Sequence, residues 1–217
     1  MGNEFWAAVI GSIIGGAIAG IIQYFTLRHQ TSEQDKIRRQ KHKALGRSLT
    51  FKLMRLTSDL HAINTHLAES QKLSTSEMKN DPWSYVLPIA NLPDRIKFLE
   101  NEIALVMEGN NALATDLLDI EATHASSLQL LQKYADIRQL LTEKMPPSQL
   151  DGNTGSTDLN AEQLAALRPR MIELNSIISA LISRSQADLD LAKATTVTVN
   201  KILSEKHNLR LKLEFKE

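Results

Sequence analysis

The sequence contains no cysteine, few aromatic residues, and little proline or glycine outside a few short stretches. The lack of cysteine excludes disulfide frameworks, thiolate metal sites and cysteine nucleophiles. The scarcity of proline and glycine, in a chain rich in Leu, Ala, Glu, Lys, Gln and Arg, favours long helices. The sequence therefore predicts an all-α protein.

Catalytic motifs are also missing from the 217 residues. There is no Walker loop, Rossmann glycine run, nucleophile elbow or metalloprotease helix in the sequence. Single Ser, His and Asp residues are scattered without a predictable common site. We therefore expect a protein that is not an enzyme and that needs no cofactor.

Residues 5–25 contain no charged side chain, and about 20 helical residues cross a hydrocarbon core of roughly 30 Å. Trp6 at one end, with Tyr24 and Phe25 at the other, suits the membrane interfaces. A signal peptide cleaved near Ala19 is the main alternative, but its basic n-region is missing and the chain stays apolar beyond that residue. The pattern predicts that residues 1–25 are a short outside terminus and one transmembrane helix.

The formal net charge of zero hides an asymmetry. Nine basic and two acidic residues lie between residues 26 and 55, whereas only Glu4 is charged on the other side of the span. By the positive-inside rule, the N-terminus should lie outside and residues 26–217 in the cytoplasm. The position of the basic cluster favours anionic lipid headgroups over nucleic acid as its partner. Its residues nearest the span are Arg28, Lys36, Arg38, Arg39, Lys41 and Lys43.

Small residues recur within the span on two neighbouring ridges with a spacing of four. A smooth face of this kind lets a second helix approach closely, and it resembles the glycine-zipper pattern of oligomeric membrane helices. Bulky residues between the ridges, such as Ile13 and Ile14, would then face lipid. We expect a homo-oligomer that associates through Ala7, Ala8, Gly11, Ser12, Gly15, Gly16, Ala19 and Gly20.

Helical periodicity divides the rest of the chain into three arms of similar length. They cover about residues 26–79, 93–145 and 160–209, with a Pro-rich connector at 80–92 and a flexible loop at 146–159. The arms predict a long antiparallel three-helix bundle or coiled-coil rod. It should run up, down and up, with its carboxyl terminus pointing away from the membrane.

Several residues mark the expected helix ends and the core. Pro93 is placed as a first-turn residue of the second arm, and Pro169 should kink or restart the third. Residues 210–215 alternate polar and apolar, which fits a fraying helix end or a short strand. The apolar seam of the first arm consists of Leu49, Leu53, Leu56, Leu60, Ile63 and Leu67.

Glu121 and His124 form a Glu-x-x-His pair, the spacing with which di-iron proteins take two ligands from adjacent helical turns. Such a site needs a second pair and two further glutamates, and the sequence offers only the reversed pair His66 and Glu69. A partly buried His124 that fixes helix register, as Asn110 would, is the simpler interpretation. We therefore expect no metal site.

The connector is apolar for its length, and its prominent side chains are Trp83, Tyr85 and Leu87. They form either a docking surface for an unknown cytoplasmic protein partner or a cap over the open end of the bundle core.

The combined plan resembles that of many small bacterial inner-membrane proteins, although likeness of architecture does not determine function. We expect a membrane-anchored, non-enzymatic scaffold or interaction protein that self-associates through its span. The alternative is a homo-oligomeric channel or membrane-permeabilising effector gated by the cytoplasmic bundle. One observation argues against this alternative. The span has few polar side chains beyond Ser12 and Gln23 that could line an ion path.

Overall fold

The structure is a computed structural model that describes residues 2–74, 81–107, 110–146, 149–151, 154–156 and 158–209. Its helices are α1 (Gly2–Lys72), α2 (Pro82–Tyr85), α3 (Glu100–Met107), α4 (Asn111–Thr142) and α5 (Ala161–His207). Strands β1 (Gln149–Asp151) and β2 (Thr154–Ser156) form an antiparallel hairpin inside the predicted loop. The described part of the chain is therefore mainly helical, with this hairpin and the non-helical residues 86–99 as its main exceptions.

The chain divides into two compact units, residues 1–45 and 46–217. In the part of the chain whose side chains are described, no helix has the length and apolar character needed to cross a membrane. The side chains of residues 1–21, which make up most of the predicted span, lie outside that part. In the rest of the first unit, residues 22–45, nearly all side chains are exposed.

The second unit consists of four passes, so the prediction of three antiparallel arms is wrong. The first pass is the part of α1 that belongs to this unit. Residues 86–107 form the second pass, which runs antiparallel to the first. His66 contacts Leu87 at one end of this pair of passes, and Lys52 contacts Glu102 at the other. The second pass begins without regular secondary structure and becomes helical only in α3.

Helices α4 and α5 are the third and fourth passes. They are antiparallel to each other, since Ser127 contacts Arg184 and Lys133 contacts Glu173. The unit therefore runs up, down, up and down.

Helix α5 also runs antiparallel to α1. Thr57 contacts Thr196, and Asn64 contacts Gln186, which lies earlier in α5. The end of α5 consequently returns to the start of the unit, where a Cβ on Gly46 would lie 3.2 Å from the side chain of Leu203. The prediction that the carboxyl end of the third arm points away is therefore wrong.

The predicted helix from Pro93 to residue 145 is instead a non-helical segment followed by two helices, α3 and α4. Residues 93–99 are not helical, and α3 begins only at Glu100. A carboxylate of α4 contacts this non-helical backbone, because Glu121 accepts a hydrogen bond of 2.8 Å from the N–H of Phe98. Side chains from other passes thus stabilise a conformation that local periodicity does not indicate.

Asn110 lies at the start of α4, so the prediction that it fixes register within a helix is wrong. It is the N-cap residue, and its side chain accepts a hydrogen bond of 3.1 Å from the N–H of Ala112. Such a cap satisfies one of the free N–H groups in the first turn. The reversal between the second and third passes therefore ends at Asn110.

Helix α5 begins with a capping box formed by Asn160 and Gln163. It continues through Pro169 to His207 without restarting, although that proline cannot donate a helical hydrogen bond. The predicted tail at residues 210–215 lies outside the described residues.

The core of the second unit runs along all four passes. Every residue of the predicted α1 seam, from Leu49 to Leu67, is at most 4% exposed. Ile63 and Leu67 of this seam form one cluster with Val86 of the second pass, with leucines of α4, and with leucines and isoleucines of α5. The largest fully buried side chain is Tyr134 of α4. Burial of this apolar surface is the main stabilising contribution to the bundle.

Candidate functional site

The predicted membrane-facing residues belong to the first unit. The small-residue ridges lie within residues 7–20, whose side chains are outside the described part. The six residues of the basic cluster are all exposed, and Lys36 forms an ion pair of 2.9 Å with Glu33. Near the end of the predicted span, Tyr24 and Phe25 are each about 60% exposed. The cluster is thus a solvent-facing basic stretch on one helix.

The four weak metal candidates do not come together. Glu121 bonds the backbone of Phe98, and the Nε2–H of His66 donates to the carbonyl of Leu87 at 2.8 Å. Glu69 is exposed. Among the described residues, no group of three or more His, Asp or Glu side chains could hold a metal ion.

His124 instead forms a buried pair with Asp59. Its side chain is 0% exposed, and its Nε2 lies 3.2 Å from Oδ2 of Asp59, which is 15% exposed. An ionised carboxylate only accepts hydrogen bonds, so Nε2 carries the proton and Nδ1 is left with a lone pair. Nδ1 is also buried, and within the described residues nothing hydrogen-bonds to it. This pair joins α1 to α4.

Burial is the largest influence on the pKa of both residues of the pair. It lowers the pKa of His124 from its ordinary value of 6.5, although the charge and hydrogen bond of Asp59 act in the opposite direction. It raises the pKa of Asp59 from 3.8, against the influence of His124 and Arg55. Both groups are therefore shifted toward their neutral forms.

A cleft of about 450 Å³ opens beside Asp59, between α1 and the non-helical part of the second pass. Asp59 and His66 line one wall, and Asn91 and Leu92 line the other. The lining is mainly apolar, with few groups that could orient a ligand. The cleft gives solvent a route to Asp59.

A second buried carboxylate, Glu102, joins the first two passes. It is 0% exposed and accepts hydrogen bonds from Ser48 Oγ at 2.6 Å, Lys52 Nζ at 2.7 Å and the N–H of Leu99 at 2.8 Å. Burial by itself raises the pKa of Glu102, but these donors outweigh it and the pKa is lowered. Glu102 is therefore ionised and fully partnered near neutral pH.

The connector is clamped onto the bundle by α4. The hydroxyl of Tyr134 donates to the carbonyls of Trp83 and Val86, and the guanidinium of Arg138 donates to the same two carbonyls. That guanidinium also lies 5.7 Å from the ring centroid of Trp83. Trp83 and Tyr85 pack against the core, whereas Leu87 is 60% exposed. The connector thus covers this end of the core, with Leu87 left on its surface.

Sequence reasoning did not identify Asp59, Glu102 or Arg138. Their sequence signal is a charged residue next to an apolar seam position, as Asp59 lies beside Leu60 and Glu102 beside Ile103. That signal is weak, because a charge at the edge of a helical seam is usually solvated. Only the partner on another pass shows that the group is buried.

Comparison of the chain with family models, with curated proteins and with solved structures finds no match.

Proposed function

We propose that the chain is a membrane-anchored, non-enzymatic scaffold or interaction protein. It presents its helical bundle to the cytoplasm and self-associates through a Gly-rich transmembrane helix. The observation that carries the proposal is the exposed basic stretch that directly follows the charge-free residues 5–25. Positive charge beside an apolar span both orients the span and attracts anionic headgroups.

The use of polar groups in the bundle supports the non-enzymatic part of the proposal. Glu102 accepts three hydrogen bonds from its own chain, and Arg138 and Tyr134 are bonded to connector carbonyls. A general base or nucleophile must instead aim at a substrate position from a shared cleft. These polar groups join one pass to another, which is the arrangement expected of a rigid support.

Exposed Leu87 is the natural centre of a protein-docking surface on this support. It stands on the clamped connector, so its position is fixed before any partner binds. Pre-organisation of this kind reduces the entropy lost on binding.

Fractionation of cells tests the anchor. The full chain should remain with the membrane after carbonate washing, whereas a variant with Ile10, Ile14 and Ile18 changed to Asp should be released. The triple change places three charges in the predicted span, each costing about 2.5–3.5 kcal/mol near its centre. Release of the unaltered chain by carbonate would refute the anchor.

Crosslinking in native membranes tests self-association. Changing Gly15 and Gly16 to Leu should abolish the crosslinked oligomer, because a side-chain layer would prevent close helix approach. Changing Ile13 and Ile14 to Leu is the matched control and should have little effect. Equal crosslinking of both double variants would contradict association through the small-residue face.

A further inference from the structure

The pair of Asp59 and His124 has no part in the proposed scaffold role. The imidazole of His124 is fully buried and joins α1 to α4 through a single hydrogen bond of 3.2 Å. Its second ring nitrogen, Nδ1, is buried without a hydrogen-bond partner in the described part of the chain. The other half of the pair, Asp59, lines a solvent-accessible cleft.

We propose that Asp59 and His124 form an acid-sensitive latch, which holds α1 against α4 near neutral pH and opens when His124 takes up a proton. Protonation would turn Nδ1 into a charged donor with no acceptor in an apolar interior. A buried, unpartnered N–H carrying part of a positive charge is strongly unfavourable. Local separation of α1 from α4 exposes the ring to water and relieves that cost.

The charged groups around His124 act on its pKa in both directions. Arg55 on α1 and Arg95 on the second pass both disfavour the imidazolium, and only the Asp59 carboxylate favours it. From α5, the guanidinium of Arg184 reaches the adjacent turn of α4 at Ser127. Arg184 in turn pairs with Asp188 at 3.5 Å, so the imidazolium is disfavoured first by burial and then by Arg55 and Arg95.

The direction of the pH effect follows from linkage. The pKa of His124 is lowered in the folded chain, so the unfolded or opened chain binds the proton more readily. Stability from this group is present above 6.5, the ordinary pKa of histidine, and is lost as pH falls below it. The pKa of Asp59 is raised in the folded chain, so protonation of its own carboxyl favours the folded chain and opposes the effect of His124.

The test uses the full chain in a nonionic detergent, with Trp6→Phe so that Trp83 is the single tryptophan. Urea unfolding is followed by Trp83 fluorescence between about pH 8 and about pH 5. Relative to His124→Gln, the unaltered chain should show an unfolding constant that rises up to about tenfold per pH unit below pH 6.5. Gln keeps an N–H donor for Asp59 and does not titrate.

Two controls separate the latch from general acid effects. His66→Gln removes a half-buried histidine from the same cleft and should leave the pH dependence unchanged. Asp59→Asn keeps an acceptor but removes the anion, so its pH dependence should be at least as steep as that of the unaltered chain. A pH dependence that survives in His124→Gln, or that disappears in His66→Gln, would overturn the proposal.

Hydrogen exchange of the unaltered chain provides a second measurement, which does not depend on whether any variant folds. After correction for intrinsic exchange, acidification from about pH 7.5 to about pH 6 should increase opening of amides in residues 56–63 and 120–128. Amides of α4 and α5 around Lys133 and Glu173 should change less. Equal changes in both regions, or no change near His124, would refute a local latch.

Discussion

Removal of the Glu102 carboxylate should destabilise the bundle more than removal of any other charged side chain on the second pass. Glu102→Ala would leave the Lys52 ammonium without its anion and the N–H of Leu99 without its acceptor. Breaking a buried ion pair by removing one partner costs about 3–5 kcal/mol. Because the Lys52 side chain is 26% exposed and can turn toward water, we expect the lower end, about 3 kcal/mol.

Glu102→Gln should cost less, about 1–2 kcal/mol, since its amide oxygen still accepts one hydrogen bond. The pKa of Glu102 is lowered from 4.5 in the folded chain, so its stabilising contribution is present above pH 4.5. That contribution is lost as pH falls through the lowered pKa that Glu102 has in the folded chain. The difference between the unaltered chain and Glu102→Ala should therefore narrow in acid.

Urea unfolding of the full chain in detergent, followed by Trp83 fluorescence, measures these differences. Glu100 is the matched control, because it lies in the same first turn of α3 and is exposed. Glu100→Ala should change stability by about 0.5 kcal/mol or less. A loss below about 1 kcal/mol for Glu102→Ala, or equal losses for the two alanine variants, would refute the role assigned to this carboxylate.

Three further outcomes are expected. Tyr134→Phe removes the hydroxyl that bonds two connector carbonyls and should lower the free energy of unfolding by about 1–2 kcal/mol, without changing helix content by circular dichroism. Gly46→Ala should be tolerated, because a gain of about 0.5–1 kcal/mol in helix propensity offsets the 3.2 Å contact with Leu203, whereas Gly46→Leu should cost about 1–3 kcal/mol by overpacking in the same denaturation assay. A reporter active only outside the cytoplasm should give no signal when fused after Glu217, and a signal there would refute the orientation.

The helical seam of the first pass could be predicted from the sequence. Residues Leu49, Leu53 and Leu56 follow spacings of four and three, and all are completely buried. Periodicity succeeds here because it depends only on one helix having one buried face. Apolar residues at helical spacing are not all buried, because Leu99 and Leu164 are 53% and 44% exposed. Leu99 precedes the first residue of α3, and Leu164 lies in the first turn of α5.

The number of passes could not be obtained from periodicity in the same way. Residues 93–99 carry apolar side chains at helical spacing, yet their backbone is not helical, and Glu121 accepts a hydrogen bond from the N–H of Phe98. The reversal before α4 did have a local signal, since Gly109, Asn110 and Asn111 form a typical turn and cap sequence. Giving that signal more weight would have divided the second arm and predicted four passes.

The buried polar contacts explain how four Leu-rich passes keep one alignment. Apolar seams alone allow neighbouring helices to slide by whole turns at little cost, because one leucine can replace another in the same gap. A shift of the second pass would separate Glu102 from Lys52, and a shift of α4 would separate His124 from Asp59. Each separation leaves a buried charge or ring nitrogen without its partner, which costs far more than repacking leucine. The same groups that local periodicity could not reveal therefore select the register in which the predicted seams meet.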